Sequence, residues 1–220
     1  MSKLLSELVA QLELDIPAED SVPTEVQYEN AVKDAIADFS EQCGLEQIET
    51  LSIVSGTATY DLPADFLRLI SLTQLGGVGV MFSAESQIIP LSGNWCERHT
   101  IRNGRITFYP VPRYSLQRYF SYKAAWIGTD IEAEGSEAAD VEYETMGERE
   151  ARIVLMKAKA LASTKKANAQ AGSAIKYSFG AVSEDLGGVS EASVTNAESF
   201  ENEYLEACKV YNGQHASYGD

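Results

Sequence analysis

A proline held between two short strand-like stretches limits what this chain can fold into more than any other feature. Residues 56–72 read Gly-Thr-Ala-Thr-Tyr-Asp-Leu-Pro-Ala-Asp-Phe-Leu-Arg-Leu-Ile-Ser-Leu. Pro63 locks its own φ and drives Leu62 towards extended backbone, so the corner between the stretches is stiff. Gly56 permits a turn before it. Thr57 to Tyr60 alternate at the strand period, and Phe66, Leu69, Ile70 and Leu72 form an apolar run suited to a buried strand. Tyr60, Asp61, Leu62, Pro63 and Phe66 therefore mark a strand–corner–strand element. Asp61 and Asp65 are its carboxylates; Asp61 more simply turns the chain before Pro63.

More strands follow. Ile48 to Val54 precedes the corner, and Val80 to Phe82 with Gln87 to Leu91 reads as a hairpin or arm after Gly76-Gly77-Val78-Gly79. Asn103-Gly104 lies between Thr100-Ile101 and Arg105 to Tyr109, a strong hairpin signal. Pro110 and Pro112 stop that strand. Leu116 to Trp126 is a long strand with Leu116, Arg118, Phe120, Tyr122 and Ala124 on one face. This spacing predicts a small antiparallel sandwich or curled sheet.

Helices flank the strands. Residues 2–13 place Leu4, Leu5, Leu8, Val9 and Leu12 on one face. Thr24 and Gln27 form a capping box opening a helix from about Glu25 to Cys43, with Tyr28, Val32, Ala35, Ile36 and Phe39 inward and Gly44 as its stop. Thr145 and Glu148 form a second box before a helix from about Gly147 to Ala169, carrying Ile153, Val154, Met156, Ala160 and Leu161. Ile175 to Phe179 is expected as a short strand and Gly187-Gly188 as a turn. Asn196 is expected to cap a last helix ending near Tyr211, with Phe200, Tyr204, Leu205 and Cys208 as its stripe.

The predicted fold class is α+β, a helical core with an inserted small antiparallel β module. The expected divisions are N-terminal helices over 1–45, the β module over 46–127, and an acidic loop over 128–147. C-terminal helices over 148–211 complete the core, and a polar tail covers 212–220.

Charge narrows the function. The formal net charge is −16. It argues against sequence-independent nucleic-acid binding and against an anionic membrane surface, since both need Lys and Arg. Residues 1–50 carry net −10, residues 51–127 net +3, residues 128–147 net −7 and residues 148–220 net −2. Opposed signs within one chain serve either head-to-tail packing of copies or pairing inside the fold. The apolar runs are too short to span a bilayer, and Met1 to Leu5 does not open a signal peptide. Cys43, Cys96 and Cys208 are scattered, as expected for reduced thiols rather than a disulfide framework.

Catalytic and metal patterns are weak. Cys96-Glu97-Arg98-His99 lacks the second ligand pair a structural zinc needs, and His215 lies in the polar tail. Gly77-x-Gly79 has Phe82 where a dinucleotide fingerprint needs glycine, and no phosphate-binding loop is present. Ser163-Thr164-Lys165-Lys166 lacks the companion motifs of a serine acyltransferase. The acidic run from Asp130 to Glu144 lacks EF-hand spacing and reads as a solvated loop. No enzyme and no cofactor are expected.

Order and spacing together carry a resemblance. Thr59-Tyr60-Asp61-Leu62-Pro63-Ala64-Asp65-Phe66-Leu67-Arg68 is followed by Ile106-Thr107-Phe108-Tyr109-Pro110-Val111-Pro112 and the strand around Tyr119 to Tyr122. A helix bearing Glu201-Asn202-Glu203-Tyr204-Leu205-Glu206-Ala207 closes the pattern. Over roughly residues 24–211 the chain resembles the head-to-tail adaptor (head-completion or connector) proteins of tailed bacteriophages.

The resemblance implies a structural virion protein of the neck, assembled in the host cytoplasm. It implies a dodecameric ring of the chain beneath a portal protein, extending the DNA channel to a downstream tail or neck protein without specific DNA binding. Arg149, Arg152, Lys157 and Lys159 are then candidate subunit-interface residues, and Tyr211, His215 and Tyr218 a candidate docking tail. The competing expectation is a Tyr-rich β-sandwich that binds carbohydrate or protein.

Overall fold

The computed structural model describes residues 2–74, 80–82, 88–90, 98–113, 115–131, 140–177 and 187–216. The elements run β1 (Lys3–Leu4), α1 (Leu5–Asp15), α2 (Glu25–Cys43), β2 (Leu45–Ile53), β3 (Thr59–Asp61), β4 (Phe66–Gln74), β5 (Val80–Phe82), β6 (Ile88–Pro90), β7 (Arg98–Arg102) and β8 (Arg105–Tyr109). They continue with β9 (Leu116–Ala124), β10 (Thr129–Ile131), β11 (Asp140–Tyr143), α3 (Glu148–Tyr177) and α4 (Gly187–Ala216). The fold is α+β. The chain divides into two compact units, Met1–Cys43 with Trp126–Asp220, and Gly44–Ala125.

In the first unit, the cap of α2 forms as its residue types require. The Thr24 N–H donates to Gln27 Oε1 at 2.9 Å, and the Gln27 N–H donates to Thr24 Oγ1 at 3.3 Å. The inward face of α2 is the predicted one: Tyr28, Val32, Ala35, Ile36 and Phe39 are buried. Helix α3 packs against α1, α2 and α4. Its contact positions are small, with Ala151, Ala158, Ala160, Ala162 and Ala167 buried, so neighbouring backbones can approach closely. Arg149 meets Tyr211, Lys157 meets Glu201, and Gln170 meets Ser193, so α3 and α4 run antiparallel.

Several expectations for this unit are corrected. The acidic stretch 128–144 is not wholly loop: β10 pairs with β11, and β11 pairs with β1 through Lys3↔Tyr143 and Leu4↔Glu142. Tyr143 is buried there, which a solvated loop would not allow. Gly128 is required for this packing, because a Cβ on it would sit 2.2 Å from Val141 Cγ1. The start of α3 uses Gly147, whose N–H donates to Glu150 Oε2 at 3.1 Å, in place of the expected Thr145–Glu148 box. Helix α3 continues through Ile175 to Tyr177 where a strand was expected, and residues 178–179 lie outside the described residues. Helix α4 starts at Gly187, so the expected Gly-Gly turn forms its first two residues and the expected Asn196 cap is interior to it. Its buried stripe is Ala197, Tyr204, Cys208 and Tyr211, while Leu205 is exposed.

The second unit is a sandwich. One antiparallel sheet has the order β2-β9-β4 and another the order β3-β8-β7, each with its long or apolar strand in the centre. Leu51 and Ile53 of β2, Ile106 and Phe108 of β8, and Phe120, Tyr122 and Ala124 of β9 form one buried cluster between them. The alternation predicted for 116–124 holds, with inward Phe120, Tyr122 and Ala124. Asn103 and Gly104 have φ of 51° and 68°, as a two-residue hairpin turn between β7 and β8 needs. Strands β5 and β6 pair as a two-stranded ribbon, Val80↔Pro90 to Phe82↔Ile88. The run in β4 is not buried throughout. Register shifts at Phe66/Arg68 and Leu69/Ser71 bulge the strand, leaving Leu67 and Ile70 exposed.

Candidate functional site

The basic helix is the first candidate, because it concentrates cations in an acidic chain. Four of the basic side chains on α3 are answered from other elements. Lys157 Nζ lies 2.7 Å from Glu201 on α4 and 3.7 Å from Asp38 on α2, with its cation 5.3 Å from the centre of the Tyr204 ring. Lys159 Nζ lies 2.8 Å from Asp15 at the end of α1. Lys166 Nζ lies 2.6 Å from Glu19 in the α1–α2 connection. The Arg149 guanidinium stacks 4.9 Å above the Tyr211 ring. The first residue of α3 is tied too: Glu148 accepts from Lys3 at 2.5 Å, which holds the Glu148 carboxyl below its ordinary value.

Three of the four candidate interface residues thus already have partners within one chain. Arg152 differs. It is exposed and makes no ion pair among the described residues. Sequence reasoning picked out the cations and missed Asp15, Glu19, Asp38 and Glu201 as their partners. The signal was present, since the strongly acidic first fifty residues had to meet base somewhere.

Beneath Lys157 the packing is polar and buried. Burial pushes the Tyr204 hydroxyl far above its ordinary range, and Asp38 and Cys208 add to the effect. On the other side of the unit, Asp140 of β11 closes the start of α1. It accepts from the Ser6 hydroxyl and from the Ser6 N–H at 3.3 Å, and from the Val141 N–H at 2.7 Å. Burial raises its carboxyl, but these hydrogen bonds prevail and hold it below the usual range.

The corner in the β unit is organised by Tyr60. Its hydroxyl accepts from the Val54 N–H at 2.8 Å and faces the Val54 and Thr57 carbonyls at 3.1 and 2.9 Å. This staples the turn at Gly56, whose φ is +82°. The Tyr60 ring meets Phe108 edge-on at 5.9 Å. Asp61 pairs with Arg105 at 2.7 Å across the β3–β8 register, in solvent. The Leu62 N–H donates to the Gly104 carbonyl, joining corner to hairpin at 2.8 Å. After Pro63, Phe66 stacks on Tyr122 at 5.6 Å. Asp65 does not face Asp61. It accepts from the Tyr122 hydroxyl at 3.2 Å, and Glu49 lies 3.4 Å from the same hydroxyl. Burial and these carboxylates push Tyr122 well above the ordinary tyrosine range. The corner therefore braces two sheets; its acids are engaged in packing.

The proposed docking tail divides. Tyr211 is not available on the surface: it is buried, meets Phe39 edge-on at 5.6 Å, and its hydroxyl is pushed up to about 12 by burial and by Glu150. The helix carries on past it to Ala216, and Asn212 Nδ2 donates to the Gln42 carbonyl at 3.1 Å. His215 lies in this last helical stretch, and Tyr218 lies outside the described residues, as does Cys96 of the Cys/His cluster. Among the described residues no three His, Cys, Asp or Glu converge as a metal site. No helix there is long and apolar enough to cross a membrane.

A family model described as SU10 adaptor protein matches residues 4–187. The chain belongs to this phage adaptor family. The match runs through both units and includes the Tyr60 corner, the Asn103-Gly104 hairpin and α3. No curated protein matches the chain. An adaptor works by contact with other virion proteins, and the geometry above accords with such work: buried pairs and stapled corners make two firm units, while reactive side chains are tied into packing.

Proposed function

We propose that the chain is a structural head-to-tail adaptor that forms a ring under the portal and extends the DNA channel to the tail. The observation that carries this reading is the adaptor-family match over residues 4–187. On this reading the partners are further copies of the chain, in a dodecamer, with the portal on one side and a neck or tail protein on the other. The protein resides in the virion neck after assembly in the host cytoplasm, and it has no turnover.

Charge supports the channel role. The net charge is −16, and Lys157, Lys159 and Lys166 face acids of the same chain, so the basic face of α3 is largely neutralised. An acidic wall repels DNA and lets it slide. The helical unit forms the ring body, and Arg152 on its exposed face meets a neighbour's acids. The β unit offers contact to the next component through the outer face of β2-β9-β4. There Ile48 stands opposite Ser121 and Tyr119 lies two residues along, both exposed. His215 at the end of α4 and Tyr218 after it extend the contact.

The test is to mix the purified chain with purified portal rings from the same virion and measure co-sedimentation. The reading expects stoichiometric binding that survives moderate salt. Absence of binding at micromolar concentrations overturns it. Deleting residues 214–220 tests the tail alone: unchanged binding removes His215 and Tyr218 from the docking set.

A further inference from the structure

Two of the three cysteines, distant in sequence, meet inside the helical unit. Cys43 is the last residue of α2 and Cys208 lies in α4, and both are buried thiols. The Cys43 thiol donates to the Cys208 carbonyl at 3.8 Å, which places the two cysteines side by side. Contacts on both sides hold the two helices at this spacing. Phe39, one turn before Cys43, meets Tyr211, one turn after Cys208. Asn212 donates to the carbonyl of Gln42, the neighbour of Cys43, at 3.1 Å.

We propose that Cys43 and Cys208 are a disulfide site, closed by a small-molecule disulfide of the glutathione type. One cysteine thiolate attacks a sulfur of the reagent, its S–S bond breaks, and one reagent thiolate leaves. The second cysteine thiolate then attacks the protein sulfur of the mixed disulfide and releases the other reagent thiolate. Two cysteines are oxidised and one reagent disulfide is reduced to two thiols, which take up the two protons. Cys208 is the better first nucleophile. The neighbouring Cys43 holds its thiol below the ordinary value, although burial opposes this.

The bond would tie the residue at which the chain leaves the helical unit to α4, closing a loop across most of the sequence. Such a bond persists in an oxidising setting. A protein assembled inside a cell and then released in a particle meets that setting late; this clause alone rests on the adaptor reading, and the chemistry of the pair stands without it.

The experiment treats the full, folded chain with oxidised glutathione, then reads intact mass, non-reducing peptide maps and thermal unfolding. The expected result is loss of two hydrogens, a Cys43–Cys208 linked peptide, and a melting temperature higher by about 5–10 °C that dithiothreitol reverses. C96S should keep all three effects, and C208S should lose them. The unmutated chain, oxidised against reduced, carries the test even if C208S folds poorly. Linkage through Cys96, glutathione adducts without a cross-link, or two thiols that stay unmodified would each overturn the proposal. None of these outcomes bears on portal binding, so failure here is separate from failure of the adaptor reading.

Discussion

In the unit built from residues 1–43 and 126–220, α3 reaches acids on α1, α2 and α4 with Lys159 and Lys157, and Glu19 of the α1–α2 connection with Lys166, over a seam of buried alanines. In the unit of residues 44–125, two sheets close on aromatic and aliphatic side chains, and its clearest ion pair, Asp61–Arg105, stands in solvent. The alanines let α3 approach its neighbours, whose Tyr28, Phe39, Tyr204 and Tyr211 supply buried rings, so charge pairing at the margins adds to apolar packing. The sandwich buries large rings, and its hydrogen bonds staple corners. Cohesion in the first unit is thus sensitive to charge as well as volume, and in the second mainly to volume.

The largest effect should come from volume. Phe108→Ala in the sandwich core should cost about 3–5 kcal/mol in chemical unfolding, with hydrogen-exchange protection lost first in β2, β8 and β9. Equal loss across α2 and α3 would break the contrast between the units. Next, Lys157→Met keeps the apolar stem but strands Asp38 and Glu201, at about 2–3 kcal/mol, with the deficit reduced by adding salt. A neutral result would show that packing alone holds the helices.

Gly128→Ala forces β10 and β11 apart and should cost about 1–2 kcal/mol, read as a lower melting temperature. The pH test follows from Asp140. Its carboxyl is depressed in the fold, so its contribution is complete above the unfolded value of about 4 and fades as pH falls through the folded one. Asp140→Asn should therefore lower stability at neutral pH and flatten the acid limb of the stability curve; an unchanged limb would remove Asp140 from the account. The smallest effect belongs to Asp61→Asn, at no more than about 0.5 kcal/mol, because that pair is exposed.

Where signals were local, the sequence could be read closely. Thr24 and Gln27 bound each other as a capping box, so α2 starts where those two residues say it should. Asn103-Gly104 set the β7–β8 hairpin for the same reason, and the α+β class followed from such elements. The Tyr60 corner, with the order of strands after it, led to the adaptor family although no catalytic residue marked it. The rest depended on contacts distant in sequence. Strand β11 exists because β1 pairs with it across the length of the chain, so composition alone made residues 128–144 look like loop. Gly187 and Gly188 read as a turn, yet α4 runs through them beside α3. Leu205 seemed a better core residue than Tyr211 until the register of α4 against Phe39 decided otherwise. The cations of α3 were visible as a cluster, but their partners were set by tertiary packing.

Reconstruction of the intact neck by electron microscopy tests the adaptor account most directly. The account predicts a ring of this chain beneath the portal, with its helical unit as the ring body and an acidic lumen around the DNA path. A ring with a basic lumen, or the chain located away from the portal, would contradict it.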